Sequence, residues 1–560
     1  MCTKIEDLKE QFGSEKIAHT VRTCMRSVES RTTKFRREEH GGILVLFALM
    51  FVPIVIIIGF AMELALAEHM RVKLQNTADS ASLASADLEQ TLQPKAVATD
   101  FFAKAGLGDH LTSVEVETPT RGGRAVTVTA EASFGALLTR LAGLRAWNVP
   151  VLGSAKEARG DIEIALVLDN SSSMSWLASS TSGAPKKTRM DLLIPAAEAF
   201  VEEVQPKPGE GGTTTISLIP FATQVSVGQD LLNQFNVTSE HDVSHCVTFI
   251  NRADFASTSI LKSSILQRTA HHDPTRSASQ GWGLSDDYIA CPTNSSIRDI
   301  FAWSQDPDSL KARIRSMKPY GFTSIEIGVK WGTALLDPAM RPVLTSMSAL
   351  PAHSYLAEPS ARGVPFDFAE PTSQKYLVVM SDGENTTHQD IKPPYRDGLS
   401  PVWQYTGKDN FAYYLKRLDT DRAFYHVKAR EWRDDPGPNA VQLTWPQVWA
   451  RVSVKKFVRD INGAALRSAP GFSVNPSLYS DIVYEQGKAW KNQRTSEICQ
   501  AAKERGIIVF TIGMDTYGQG DATLADCASE KSLFYDIVSE DIDMAFAQVA
   551  RQITRLRLTQ

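Results

Sequence analysis

Ile162-Glu163-Ile164-Ala165-Leu166-Val167-Leu168-Asp169-Asn170-Ser171-Ser172-Ser173 is the stretch whose reading decides the fold. Ile164 to Leu168 is an uninterrupted apolar run, short and bounded by polar residues, which reads as a strand of a parallel sheet buried on both faces. The run ends on Asp169, and Ser171 and Ser173 follow at alternate positions. Extended chain sends alternate side chains to the same side, so all three can face one point. In open α/β sheets the space beyond the carboxyl ends of the strands is where ligands bind. Magnesium takes few carboxylates, neutral oxygens and retained waters, and Asp-x-Ser-x-Ser supplies the start of such a shell. A helix N-cap or a turn is the competing reading of these three residues alone.

Two later stretches bear on that choice. Gly321-Phe322-Thr323-Ser324 lies between helical patterns at Leu310 to Met317 and Ile325 to Leu336. Tyr376 to Ser381 is a second apolar strand pattern, and it ends on Asp382, Gly383 and Glu384. In this order Asp169, Ser171, Ser173, Thr323 and Asp382 resemble the metal-ion-dependent adhesion site of von Willebrand factor A domains. The resemblance implies an α/β fold with a doubly wound, mostly parallel sheet and helices on both faces. It also implies Mg2+, with Mn2+ or Ca2+ as alternatives. Ser171 and Ser173 would bind the ion directly, and Asp169 and Asp382 through waters. Thr323 would bind either way. One position would stay open for a carboxylate from a protein ligand. Thr213, Thr214 and Thr215 compete for the threonine role, but they lead directly into a strand pattern at Ile216 to Pro220.

At 560 residues the chain should hold more than one domain. A net charge of −5 gives no electrostatic reason to expect nucleic acid. The six cysteines form no Cys-x-x-Cys, which argues against zinc ribbons and thioredoxin-like chemistry. Four of them, Cys246, Cys291, Cys499 and Cys527, follow the apolar segment described next. Outside the cytoplasm they would suit two disulfides, Cys246–Cys291 and Cys499–Cys527 by proximity in sequence, with buried free thiols as the alternative.

Residues 1–40 are a polar tail carrying both charge signs, expected to have little fixed structure. Ile43 to Met62 then runs without a charge, long enough to span a bilayer, and Pro53 and Gly59 are tolerated in such helices. A signal peptide competes, but the run exceeds a typical h-region and no small-x-small cleavage site is evident. Arg31, Lys34, Arg36 and Arg37 precede the span, while Glu63 and Glu68 follow it. The positive-inside rule then gives a single-pass protein of the inner (cytoplasmic) membrane, its amino terminus cytoplasmic and its bulk periplasmic or extracellular. Leu64, Leu66, Met70, Leu74 and Ala78 continue at helical spacing, so residues 41–90 read as the membrane helix and its extension. Residues 91–158 read as a small β-rich element, with alternation at Val114 and Val116, at Val126, Val128 and Ala130, and at Val149 and Val151. Gly122-Gly123 marks a turn between the first two runs. Helix and sheet together are pilin-like α+β in outline.

Phe47-Ala48-Leu49, Pro53, Gly59 and Val72-Lys73-Leu74-Gln75-Asn76-Thr77-Ala78-Asp79-Ser80-Ala81-Ser82-Leu83-Ala84 resemble the amino-terminal segment of the TadE/TadG-like proteins of tight-adherence (Flp-type) pilus assembly. TadG-type members join that segment to a von Willebrand A domain, so the resemblance implies other pilus-assembly components as partners. Processed TadE-type members carry Gly and, five residues on, Glu. Here Gly42 is followed at that spacing by Phe47, so processing is not expected, and Glu63 stands where the family usually has Asp.

Residues 159–560 are the expected A-type domain, with insertions at about 226–308 and 386–490. His241 and His245 would share a helix face and could bind a metal, although loop histidines in solvent are the commoner case. Trp403, Tyr405, Tyr413, Tyr414, Trp432, Trp445 and Trp449 in the second insertion suit either a satellite core or a protein contact. No nucleophile–base pairing, Walker loop or His-Glu-x-x-His is present, so the expectation is a binding protein and not an enzyme. A structural anchor whose ion only stiffens the loops is the alternative, and a metal-dependent hydrolase a more distant one.

Overall fold

The computed structural model describes residues 41–558 apart from 88–89, 118–123, 135–146, 158–159, 180–186, 207–211, 276–281, 286, 294–296, 418, 517 and 519–520. The polar tail of residues 1–40 and the Gly122-Gly123 turn lie outside the described residues. The chain divides into two compact units, Met1–Pro119 with Arg124–Glu157, and Thr120–Gly123 with Ala158–Gln560.

The first unit opens with one 46-residue helix, α1 (Gly41–Ala86). It is long and apolar enough to cross a membrane, with a mean hydropathy of 3.1 and only 6% burial in the window that decides it, unlike a helix from a soluble core. Its later turns place Leu74, Ala78, Ala81 and Ala86 on one buried face. That face packs with a three-stranded antiparallel sheet, β1 (Leu111–Glu117), β2 (Arg124–Phe134) and β3 (Trp147–Glu157), in the order β1–β2–β3. The alternation in β2 sends Val126, Val128, Ala130 and Ala132 inward. Ala98 and Phe102 of α2 (Pro94–Lys104) close the core.

The second unit is built around β4 (Asp161–Asp169), all nine residues of which are buried. The other strands of its sheet are β5 (Thr214–Phe221), β6 (Phe301–Ser304), β7 (Ser373–Ser381), β10 (Ile508–Met514) and β11 (Phe534–Ile537). Their order is β11–β10–β7–β4–β5–β6, and every pairing is parallel except that of β6 at the edge. Ile162, Ile164, Leu166 and Leu168 project to one face, beneath α3 (Arg189–Glu203), α4 (Pro307–Arg315) and α8 (Ile542–Leu558). Ala165 and Val167 project to the other, beneath α5 (Ile325–Leu336), α6 (Lys488–Glu504) and α7 (Asp521–Cys527). Helix α5 lies close on the strands because Gly328 and Gly332 face them. A Cβ at Gly328 would sit 2.8 Å from Val167 and 2.9 Å from Phe221, and one at Gly332 2.8 Å from Leu377. This is the doubly wound arrangement of a von Willebrand A-type domain. Two helices begin earlier than their apolar pattern indicates. Thr188 caps α3 by accepting from Asp191 N, so the helix starts at Arg189. Helix α6 starts at Lys488, ten residues ahead of Ile498.

Between β5 and β6 the described residues of the first insertion fold as turns, two-residue strands and short helices at Gln229–Leu232 and Arg252–Phe255, tied together by a Cys246–Cys291 disulfide. His241 and His245 lie on no helix, so they cannot share a helix face. Nor are they solvated: His241 Nε2 lies 2.8 Å from the Thr269 carbonyl oxygen, and His245 is buried. In the second insertion β8 (His388–Ile391) and β9 (Val483–Gln486) pair antiparallel as a neck. Beyond the neck comes a five-stranded antiparallel sheet spanning residues 399–444. Tyr413, Tyr425, Trp445, Trp449 and Phe457 are buried in its core, and Trp449 Nε1 donates to the Tyr395 carbonyl at 2.7 Å. Those aromatics therefore build a satellite core. A second disulfide joins Cys499 of α6 to Cys527 of α7.

The Cys246–Cys291 bridge closes a span of 45 residues and Cys499–Cys527 one of 28. Loop-closure entropy makes the larger worth about 4 kcal/mol. Replacing Cys246 and Cys291 together by Ser is expected to lower the unfolding free energy by roughly that amount, read from urea denaturation.

Candidate metal centre

β4 and β7 are parallel neighbours in a register that pairs Leu168 with Met380, so both strands finish at one edge of the sheet. Asp169 is the last residue of β4, and Asp382 follows the last residue of β7. Each carboxylate shapes the loop around it. Asp169 Oδ1 accepts from Ser171 N at 2.8 Å, which folds the chain into the turn Ser172–Ser175. Its Oδ2 accepts from Ser381 Oγ at 2.6 Å. Ser173 Oγ donates to Asp382 Oδ1 at 2.8 Å and lies 2.9 Å from Ser171 Oγ. Asp169, Ser171, Ser173 and Asp382 thus form one hydrogen-bonded cluster.

The Thr323 loop is tied to both sides of this cluster. Gly321 has φ +64°, and a Cβ there would collide with the Thr223 hydroxyl, which accepts from Phe322 N at 2.7 Å. Tyr320 N donates to Asn170 O at 2.8 Å, and Ser172 N to Gly321 O at 3.1 Å. On the other side Thr323 N donates to Thr386 Oγ1 at 2.9 Å, and Thr386 N to Thr323 O at 3.1 Å. Thr323 is buried, and its hydroxyl forms no hydrogen bond among the described residues. The rival threonines lie at the far end of the sheet, where Thr213 N donates to Asp161 Oδ1 at 2.8 Å.

Burial, reinforced by the neighbouring Asp382 charge, pushes the Asp169 carboxyl up to about 7. Burial also raises Asp382, against the opposing pull of Arg189 and the Ser173 hydrogen bond. Two buried carboxylates, two paired hydroxyls and a third hydroxyl left free are hard oxygen donors, the set that suits Mg2+, Mn2+ or Ca2+. A cation there would discharge the acids that burial disfavours. Among the described residues no three His, Cys, Asp or Glu side chains gather as a metal site, so any ion would depend on the hydroxyls.

Several residues at this edge escaped the sequence reading. Asp515 follows β10 just as Asp382 follows β7, and the acid after the apolar run was a usable signal. Arg189 Nη1 donates to Asp382 Oδ2 at 2.8 Å, and its Nε lies 3.3 Å from Asp515 Oδ2. Lys491 is fully buried on the early turns of α6 and donates to Thr323 O at 2.6 Å, Ser324 Oγ at 2.6 Å and Thr386 O at 2.8 Å. Burial brings its ammonium down to about 8, against the pull of Glu326.

Residues 41–88 match the family described as putative Flp pilus-assembly TadE/G-like. No curated protein matches the chain. Among solved structures, the vWF domain of the type V pili tip protein Mfa5 from Porphyromonas gingivalis is 14% identical, with 71% of this chain and 97% of that one covered at a TM-score of 0.30. The PilB minor pilin from Streptococcus sanguinis is 10% identical, covering 80% and 78% at 0.28. Proximal thread matrix protein 1 from the mussel byssus, with a zinc-occupied MIDAS motif, is 11% identical, covering 70% and 46% at 0.24. These scores are low, and the A-type assignment rests on the strand order and helix placement above. The chain is a membrane-anchored protein with an A-type domain. Its amino-terminal segment is similar to the TadE/G-like family over residues 41–88, so in layout it resembles TadG-type proteins.

A carboxyl raised from 3.8 to about 7 keeps in the folded state a proton that the unfolded chain releases. Stability is then fully present below about pH 4 and falls as pH rises toward 7. In chelator, wild type should lose about 3 kcal/mol relative to Asp169→Asn between pH 4.5 and pH 8. Urea unfolding of both proteins at the two pH values reads the difference, and parallel curves would contradict the buried-acid reading.

Proposed function

We propose that this protein is an extracytoplasmic, membrane-anchored module that grips a protein partner through a divalent cation, acting in Flp-type pilus assembly. The observation that carries the reading is the hydrogen-bonded cluster of Asp169, Ser171, Ser173 and Asp382 at the carboxyl ends of adjacent parallel strands, with the Thr323 loop laced to both sides. Ser171 and Ser173 would hold Mg2+ through their hydroxyls, and Asp169 and Asp382 would bind its waters. Thr323 would complete the protein's share of the shell. The ion's part is to accept a carboxylate oxygen from the partner's Asp or Glu. The two acids balance the divalent charge, so such a carboxylate meets no net repulsion.

Orientation is supported by basic residues before the span and acids after it, and by two disulfide bridges, which persist in oxidising compartments. The family of residues 41–88 supports the pilus-assembly context.

Two measurements test the proposal. Titration calorimetry on residues 158–560 should give one Mg2+ per chain, abolished by Asp169→Ala. Pull-down of pilus-assembly components by the same fragment should succeed in magnesium and fail in chelator. Capture that survives both chelator and Asp169→Ala would favour the structural-anchor reading instead.

A further inference from the structure

Arg189 is paired with the carboxylate of Asp382, one of the five candidate ligands, and it is held on three sides. Its Nη1 donates to Asp382 Oδ2 at 2.8 Å, its Nε lies 3.3 Å from Asp515 Oδ2, and its guanidinium carbon lies 5.8 Å from the Trp176 ring centroid. The side chain is only 10% exposed, so the contacts with Asp382 and Asp515 are little screened by water. Asp515 is fixed in turn, accepting from Ser539 N at 2.9 Å and Ser179 N at 3.2 Å, and from Ser539 Oγ.

The consequence falls on Asp382. Its Oδ1 already accepts from Ser173 and its Oδ2 from Arg189. A carboxylate with both oxygens engaged is poorly placed to enter an ion's inner shell as a bidentate ligand. It remains well placed to accept from an ion-bound water. Bidentate carboxylates suit Ca2+, whereas Mg2+ keeps its waters and a strict octahedron. Arg189 also brings a permanent positive charge to an edge where it opposes a cation and favours an incoming acid.

We propose that Arg189 is the residue that sets ion affinity and ion choice at this site: it holds Asp382 in the outer shell, weakens divalent binding and favours Mg2+ over Ca2+. It is a positioning residue, acting on the ion through Asp382 and through its own charge. The proposal rests on the cation reading above and goes beyond it, because none of the five expected ligands accounts for the choice between ions.

The test is titration of Mg2+ alone and Ca2+ alone into the full chain in detergent, for wild type, Arg189→Gln and Arg189→Lys. Arg189→Gln should bind Mg2+ roughly three- to tenfold tighter, the scale of removing one charge near a divalent ion. Ca2+ affinity should rise further still, so that the Mg2+ preference shrinks. Arg189→Lys keeps the charge and should gain clearly less than Arg189→Gln. A residue needed only for local structure gives the opposite sign, weaker binding of both ions in Arg189→Gln. That outcome, or unchanged affinities, or equal gains in Gln and Lys, overturns the inference while wild-type binding stands. Wild type that binds neither ion sinks the underlying cation reading instead. Should the Gln variant not fold, Arg189→Met repeats the test.

Discussion

The second unit depends on one constraint: two parallel strands, paired in register, each run out into an aspartate at the same edge of a buried sheet. Leu168 opposite Met380 brings Asp169 and Asp382 close enough for Ser173 to link their loops. Two carboxylates with almost no exposure, at 0% and 3%, are an arrangement that a fold keeps only with compensation. The compensation is visible: Ser171 N, Ser381, Ser173 and Arg189 each give a hydrogen bond to one of the four carboxylate oxygens. The loops that supply those donors are themselves joined through Gly321, Thr323 and Thr386. The edge is thus a network that stands or falls as a unit.

Much of this was legible in sequence because it is local. An apolar run ending on an acid identifies a buried strand and its carboxyl end within a dozen residues, as at Ile164 to Asp169 and Tyr376 to Asp382. Gly321 before Thr323 is likewise a local signal, since the turn needs a left-handed residue. Arg189 and Lys491 could not be read that way. Arg189 meets Asp382 across 193 positions, and Lys491 meets Thr323 across 168. Nothing in the flanking residues marks either cation, and the turns of α6 that carry Lys491 are charged, with no apolar stripe to announce a helix. The histidine pair failed for a related reason. Helical spacing at His241 and His245 is only a spacing, and residues 226–308 take their shape from a disulfide and turn hydrogen bonds.

The second insertion is placed with respect to the same edge. The chain leaves the sheet at Asp382, passes Thr386, and enters the β8–β9 neck. It returns from the satellite core through β9 into α6, whose first turns carry Lys491 back beneath Thr323 and Thr386. A buried ammonium with three oxygen acceptors is a satisfied group. Removing it would leave those acceptors unpaired in a dry interior. The excursion of about a hundred residues is therefore pinned at both ends to the loop that presents Thr323. Its aromatic core is shared with the first insertion, from which Ala270 and Trp282 pack against it.

Charge balance at that edge bears on how a partner would be held. The neighbouring strands β4, β7 and β10 all lead into acids, Asp169, Asp382 and Asp515, and Arg189 bridges the last two. With the buried Lys491 offset by Glu326, three negative charges and one positive leave two in excess, the charge of a single divalent ion. On the proposed reading the loaded edge is close to neutral, and an acid from a partner gains from the ion without meeting net repulsion. Without Asp515 the same edge would hold the ion less firmly, and without Arg189 it would repel the acid. The third aspartate and the arginine thus belong to the same electrostatic design as the two acids that the sequence announces.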